Sequence, residues 1–203
     1  MPFDESQAPA AHTAHVEATN LRSLLSHVAN DDVELAVWAR NLPALENAGL
    51  VAPFSDVRFG GGLDTVVAQI PSAIASCGLP YGLTRRLRLD AVITIRRFEA
   101  LYPGTAFDVR VEYVEDNACR RYHQDNTDWR LVTTYTGPGT DWILVDGAAS
   151  GQLATGHVGL LRGTRADRPP RLLHRSPQIE ATRETRVIVV IDLERASFLS
   201  AED

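Results

Sequence analysis

The sequence predicts a mainly β protein with N-terminal helices, a β-barrel or jelly roll carrying a helical layer. Three observations predict it. Short alternating or β-branched runs crowd the chain after Pro80, turn residues separate them, and the chain before Pro80 repeats apolar residues at helical spacing. A length of 203 residues suffices for one domain with a sizeable core. The expected organisation is a flexible tail over 1–15 and a single domain over 16–203, with a helical layer at 16–80 and a β-barrel at 81–195.

In the helical layer, Leu21, Leu24, Leu25 and Val28 recur at three- and four-residue spacing, with Asn20 as N-cap. Asn30, Asp31 and Asp32 punctuate the chain, and Val33–Arg40 reads as a second short helix ending before Pro43. Thr65–Cys77 reads as a third, interrupted at Pro71. Phe59-Gly-Gly-Gly62 lacks the lysine and the preceding apolar strand of a phosphate-binding motif, so a flexible loop is expected. The expected strands are Leu87–Ile95, Phe107–Tyr113, Trp129–Tyr135, Trp142–Val145, His157–Leu161, Leu172–His174 and Val187–Ile191. That many short strands fit a sandwich or barrel better than alternating β-α units. Gly137-Pro-Gly-Thr140 reads as a turn, and Gly163–Arg171 as a polar loop.

Composition narrows the function. The net charge is −6, which offers no net positive field to attract phosphates and argues against nucleic acid. All 20 basic residues are arginine, which removes Schiff-base chemistry and a phosphate-loop lysine. Codon usage in a GC-rich genome is the expected source of most of that bias. Cys77 and Cys119 cannot form a disulfide framework. Met1–Asn20 lacks the apolar run of a signal peptide, and no stretch approaches the ~18 apolar residues that span a bilayer. A cytoplasmic location away from membranes is expected.

The candidate chemistry lies in Cys119-Arg-Arg-Tyr-His123-Gln-Asp125, followed by His174 in Leu-Leu-His-Arg-Ser-Pro. His-x-Asp with a distant second His is the pattern of a two-His-one-carboxylate metal site, which leaves open positions for other ligands. On a strand, residues i and i+2 share a face with Cα atoms ~6.6 Å apart, so His123 and Asp125 can meet one ion. A hydrogen-bonded structural pair at a sheet edge has the same spacing. Cys119 shares the parity, but in an extended strand its Cα is ~13 Å from that of His123. A bulge would make it a fourth ligand, as in a zinc site; a small buried thiol is the other reading. His157 is a candidate residue beside the metal or substrate, or an exposed strand residue. Arg186 enters the last expected strand, with Arg183 three residues earlier. Either could grip a carboxylate through its planar fork, Arg186 first, or could be a solvated strand-end charge.

The runs Cys119–Asp125 and Arg130–Trp142 resemble a bacterial family, domain of unknown function 1826. Gly159–Gly163, His174–Pro177 and Arg186–Asp192 resemble its later blocks, and Val33–Arg40 its first. The likeness spans roughly residues 20–193. Tyr122 and Gln124 depart from its more typical Phe and Val, and the segment between Asp146 and Gly156 is short. The resemblance implies a double-stranded β-helix (jelly roll, cupin-like) barrel similar to that of iron(II)/2-oxoglutarate-dependent oxygenases. On that footing His123, Asp125 and His174 bind Fe(II), while Arg186, with Arg183 and Tyr135 as helpers, binds 2-oxoglutarate. The substrate would be a small molecule or peptide. The alternative is a non-catalytic cupin-like metal-binding protein in zinc homeostasis, with Zn bound and, from family context alone, a metal-handling GTPase as partner. A homodimer through an exposed barrel edge is a further expectation.

Overall fold

A computed structural model describes residues 14–42, 54–117, 119–166 and 168–194. In chain order the elements are β1 (His15–Ala18), α1 (Leu21–Ser26), a 3-10 turn (His27–Ala29), β2 (Leu35–Trp38), β3 (Val57–Gly61), α2 (Leu63–Ser76) and α3 (Tyr81–Leu101). There follow β4 (Ala106–Val114), β5 (Trp129–Thr136), β6 (Asp141–Leu144), β7 (Ser150–Gln152), β8 (Val158–Arg162), a 3-10 turn (Thr164–Ala166), β9 (Leu172–Arg175) and β10 (Arg186–Glu194).

The strands form a seven-stranded sheet, β1-β2-β8-β5-β10-β4-β3, and a three-stranded sheet, β7-β6-β9. His123 extends the smaller sheet by an antiparallel bridge to His174. From β4 onward the chain visits the large sheet, then the small one at His123, and then the large one at β5. It continues through β6 and β7 in the small sheet, β8 in the large, β9 in the small and β10 in the large. Four strands, β8-β5-β10-β4, therefore face β7-β6-β9 and His123. This is the double-stranded β-helix, and the expected jelly-roll class holds. β1 and β2 widen the large sheet at one edge and β3 at the other.

Two cores follow from the pleat. Val187, Val189, Ile191 and Leu193 of β10 join Leu131 and Tyr135 of β5 and Leu87, Ile95 and Phe98 of α3 in a core outside the barrel. Ile188 and Val190 point the other way, to Val132, Leu161 and Trp142 inside it. β10 is apolar on both faces because each face is covered.

Several local expectations change. Val33–Arg40, expected as a helix, contains β2. Leu35 and Val37 pack inside the barrel while Ala36 packs outside, so the apolar run has no helical face. Phe59-Gly-Gly-Gly62 is not a loop: it ends β3, and Gly62 is the N-cap of α2. α2 runs through Pro71 without a break. Leu87–Ile95, expected as a strand, lies inside α3, so helices and strands mix across the boundary expected at residue 80. Strand β7, in the short segment before Gly156, carries no strand signal in its sequence. The Asn20 cap is as expected, its side chain accepting from Ser23 N at 2.9 Å. The expected tail falls outside the described residues up to residue 13, and His15 already begins β1. Both cysteines are free, and among the described residues no helix is long and apolar enough to cross a membrane.

The helix at Leu87–Ile95 has a direct test. Ile93 and Ile95 would share a face in a strand, but in α3 Ile95 is 0 % exposed and Ile93 is 49 % exposed. Ile95→Ala should cost about 2–5 kcal/mol in chemical denaturation, while Ile93→Ala stays within about 0.5 kcal/mol of the parent.

Candidate metal centre

His174 lies in β9, and His123 sits directly opposite it. Their backbones exchange both hydrogen bonds, His123 N to His174 O at 3.0 Å and His174 N to His123 O at 2.9 Å. A directly paired antiparallel couple puts both side chains on one face, and the two imidazole centroids are 4.7 Å apart. Asp125 is positioned differently from the i, i+2 strand geometry. The chain has left the ladder by then, and the Asp125 carbonyl accepts from Thr127 N at 3.0 Å and Thr164 N at 2.8 Å. Gly163, at the exit of β8, packs against that turn. A Cβ there would lie 1.8 Å from Thr127 O and 2.9 Å from Asp125 O, so only glycine fits. Gln124 anchors the same turn by donating to Arg162 O at 3.0 Å.

One donor atom from each of His123, Asp125 and His174 lies within 4.8 Å of the others. His174 Nε2 is 2.8 Å from Asp125 Oδ2, and His123 Nε2 is 3.5 Å from Asp125 Oδ1. His123 Nδ1 lies 2.8 Å from the Arg121 carbonyl, which can only accept. Nδ1 must therefore carry the proton, and in the neutral ring Nε2 presents a lone pair to the site. Asp125 Oδ2 is buried, yet no directed hydrogen bond reaches it despite the nearby imidazole. Two imidazole nitrogens and an under-bonded carboxylate oxygen fit a divalent cation with open coordination positions.

Arg130, on β5, holds this carboxylate from behind. Its Nη1 contacts Asp125 Oδ1, while Nε and Nη2 grip Asp192 of β10 at 2.7 and 2.8 Å. Burial disfavours the Asp125 anion, but the adjacent His123 and His174 imidazoles and the Arg130 charge outweigh it. They hold the carboxyl well below its usual range. Hydrogen bonding to Asp125 in turn raises His123 above the ordinary imidazole value, against the opposing effect of burial.

Arg186 opens β10 in the same cleft, whose walls include His123, His174, Cys119, Arg175 and Ser176. It is 1 % exposed, and its Nη2 reaches Thr134 Oγ1 at 3.3 Å and Thr140 Oγ1 at 3.5 Å. Its Nε and Nη1 have no partner among the described residues. Burial pushes the guanidinium down to about 10, with Asp141 and Glu112 opposing, so it remains cationic at neutral pH. Gly137 permits this placement. It has φ +75°, and a Cβ there would meet Thr185 O at 2.1 Å and Arg186 Cγ at 3.0 Å.

The other expected residues separate. Tyr135 lies on the opposite face of β5, where its hydroxyl donates to Asp90 at 2.6 Å, so it cannot assist a ligand of Arg186. Arg183 is exposed in the turn before β10, at φ 57°, and does not line the cleft. Partly buried His157 precedes β8, also away from the cleft. Cys119 lines the mouth of the cleft but is exposed rather than the buried thiol expected, and its thiol is not among the three converging donors. Arg130, Thr134 and Thr140 were not singled out by spacing. The available signal was an arginine at an inward position of a buried strand, five residues beyond Asp125.

The solved structures to which this chain is similar include a prolyl-4-hydroxylase from Pseudomonas putida, at 13 % identity over 88 % of this chain and 100 % of that one, TM-score 0.47. Another is a bsmA homolog from Methylobium petroleophilum, at 13 % identity, 91 % and 97 % coverage and TM-score 0.46. A third is the rice dioxygenase for auxin oxidation, at 14 % identity, 86 % and 67 % coverage and TM-score 0.42. No curated protein matches the sequence. The family described as "Protein of unknown function (DUF1826)" matches residues 20–192, nearly the whole of the barrel and its helical cover, and the chain belongs to that family.

Proposed function

We propose that this protein is a non-haem iron(II)/2-oxoglutarate-dependent dioxygenase acting on a small molecule or peptide. One observation carries the reading. His123 and His174 line one cleft with Arg186, and Asp125 offers a third donor within 4.8 Å of theirs; Arg186 is buried, its Nε and Nη1 have no hydrogen-bond partner, and it forms no ion pair among the described residues. A two-His-one-carboxylate set suits iron(II) and leaves positions for further ligands. Arg186 suits the distal carboxylate of a dicarboxylic co-substrate, since a guanidinium fork binds a carboxylate through two parallel hydrogen bonds. The Thr134 and Thr140 hydroxyls flank that point and hold the fork in place.

Bound iron(II) would supply the redox chemistry that splits dioxygen, one oxygen atom entering succinate as 2-oxoglutarate loses carbon dioxide and the other entering the substrate. The chain's own contribution is geometric and electrostatic. Paired backbones fix the two imidazoles, the Arg121 carbonyl sets the His123 tautomer, and Arg130 keeps Asp125 ionised and oriented. Ile188, Val190 and Leu161 add apolar surface to the cleft beside its charged groups.

The purified protein should bind one Fe(II) anaerobically and, on adding 2-oxoglutarate, develop a visible metal-to-ligand absorption band. Admitting oxygen should then release succinate. Stoichiometric zinc binding without a 2-oxoglutarate response would instead support the non-catalytic zinc-homeostasis reading. His174→Ala should abolish stoichiometric metal, as measured by elemental analysis. Arg186→Met should keep the metal and lose the 2-oxoglutarate-dependent band. Arg130→Gln should weaken metal affinity by about 10–100-fold, measured by competition with a chromophoric chelator.

A further inference from the structure

A second hollow lies on the other side of the large sheet. It is a cavity of ≈ 800 Å³ between the outer face of that sheet and α3, within the range of small-ligand sites. Leu131, Val189 and Ile191 form an apolar floor, and Ile93 of α3 adds an apolar wall. Leu131 and Thr133 of β5 face this cavity, while Val132 between them faces the barrel cleft. The two hollows are thus separated by the thickness of one sheet and share no side chain.

The charge of this cavity opposes that of the chain. Four arginines line it, Arg22, Arg40, Arg86 and Arg97, against the single carboxylate of Asp90, in a protein of net charge −6. Asp90 is already committed. It is 2.7 Å from Arg40, 3.6 Å from Arg86, and accepts the Tyr135 hydroxyl at 2.6 Å. Arg40 is locked, its side chain 11 % exposed, with Nε donating to Gly156 O at 2.7 Å and its guanidinium 5.4 Å from the Trp38 ring centroid. Arg22 and Arg97 form no ion pair among the described residues, and both are exposed at the rim. A fixed cation within and two unpaired cations at the rim, above an apolar floor, match one ligand shape. It is an anionic head joined to an apolar body.

We propose that this cavity is a second binding site, for an amphipathic organic anion such as a carboxylate or sulfonate with an apolar body. The inference does not depend on the metal centre. A bare inorganic anion would leave the apolar floor uncovered, and a neutral apolar molecule would leave the arginine charge uncompensated.

The test uses the full chain and 1-anilinonaphthalene-8-sulfonate as fluorescent probe, with decanoate as competitor. A saturable one-to-one fluorescence rise, displaced by decanoate and weakened by salt, is expected. Arg97→Glu should weaken probe binding about tenfold or more by placing like charge against the head. Arg22→Glu serves as a second variant, on a different helix. Arg186→Met, across the sheet, should leave probe binding unchanged. Circular dichroism and thermal melts establish that each variant is folded. Three results would overturn the proposal: no saturable binding, binding unchanged in both rim variants, or binding lost in Arg186→Met and retained in Arg97→Glu, which would assign the probe to the barrel cleft.

Discussion

The site depends on one guanidinium shared by two carboxylates. Arg130 touches Asp125, which stands on a turn outside the sheet ladder, and holds Asp192, which stands on β10 in the middle of the large sheet. Of the three converging donors, the two histidines are fixed by the sheet itself, through the backbone pairing of His123 with His174. Asp125 lacks that support and would move with its turn. The ion pair transfers the rigidity of β10 to it. The price is a partly buried cluster of like and unlike charges, with Arg110 also reaching Asp192 at 3.3 Å, and such clusters do little for net stability. What such a cluster supplies is orientation, which the proposed metal centre would need, because displacing a metal ligand by a fraction of an ångström changes affinity steeply.

What could be read in advance divides along physical lines. The strands that line the barrel were legible as β-branched or alternating runs, and His123, Asp125, His174 and Arg186 as residue types at suggestive spacing. The errors came from short windows. Leu87–Ile95 alternates over nine residues, yet Leu83, Leu87, Ala91, Ile95 and Phe98 form a helical stripe visible only over four turns. Val33–Arg40 failed in the opposite direction, because a strand covered on both faces carries no alternation to detect. Tyr135 was legible by parity: it stands four residues after Leu131 on β5 and shares its outer face, while Val132 and Thr134 point into the barrel toward Arg186.

The same pleat produces both hollows. β5 and β10 present alternate residues to the barrel and to the helices, so each strand furnishes one wall to two chambers with different contents. On the barrel side the charges are closely paired, apart from Arg186. On the helical side they are in excess, with Asp90 answering two arginines and two more standing at the rim. The excess of positive charge at the helical-side hollow therefore runs against the net charge of −6 of the whole chain.

Arg186 shows why the absence of lysine matters physically. Removing a cation from water without a carboxylate partner is unfavourable, and the lowered guanidinium value of about 10 expresses that cost. An ammonium begins from a lower intrinsic value than a guanidinium, so the same burial would cost a lysine part of its charge near physiological pH. Arginine keeps its charge under the same desolvation and aims its donors in a fixed plane. The two threonine hydroxyls occupy part of that plane and leave Nε and Nη1 unspent. β10 supplies the compensation, since it is apolar on both faces and paired along its length on both edges. A cation that is costly alone and held in place by a rigid strand suits the proposed role of carboxylate receptor, because an arriving anion would relieve a penalty that the fold already bears.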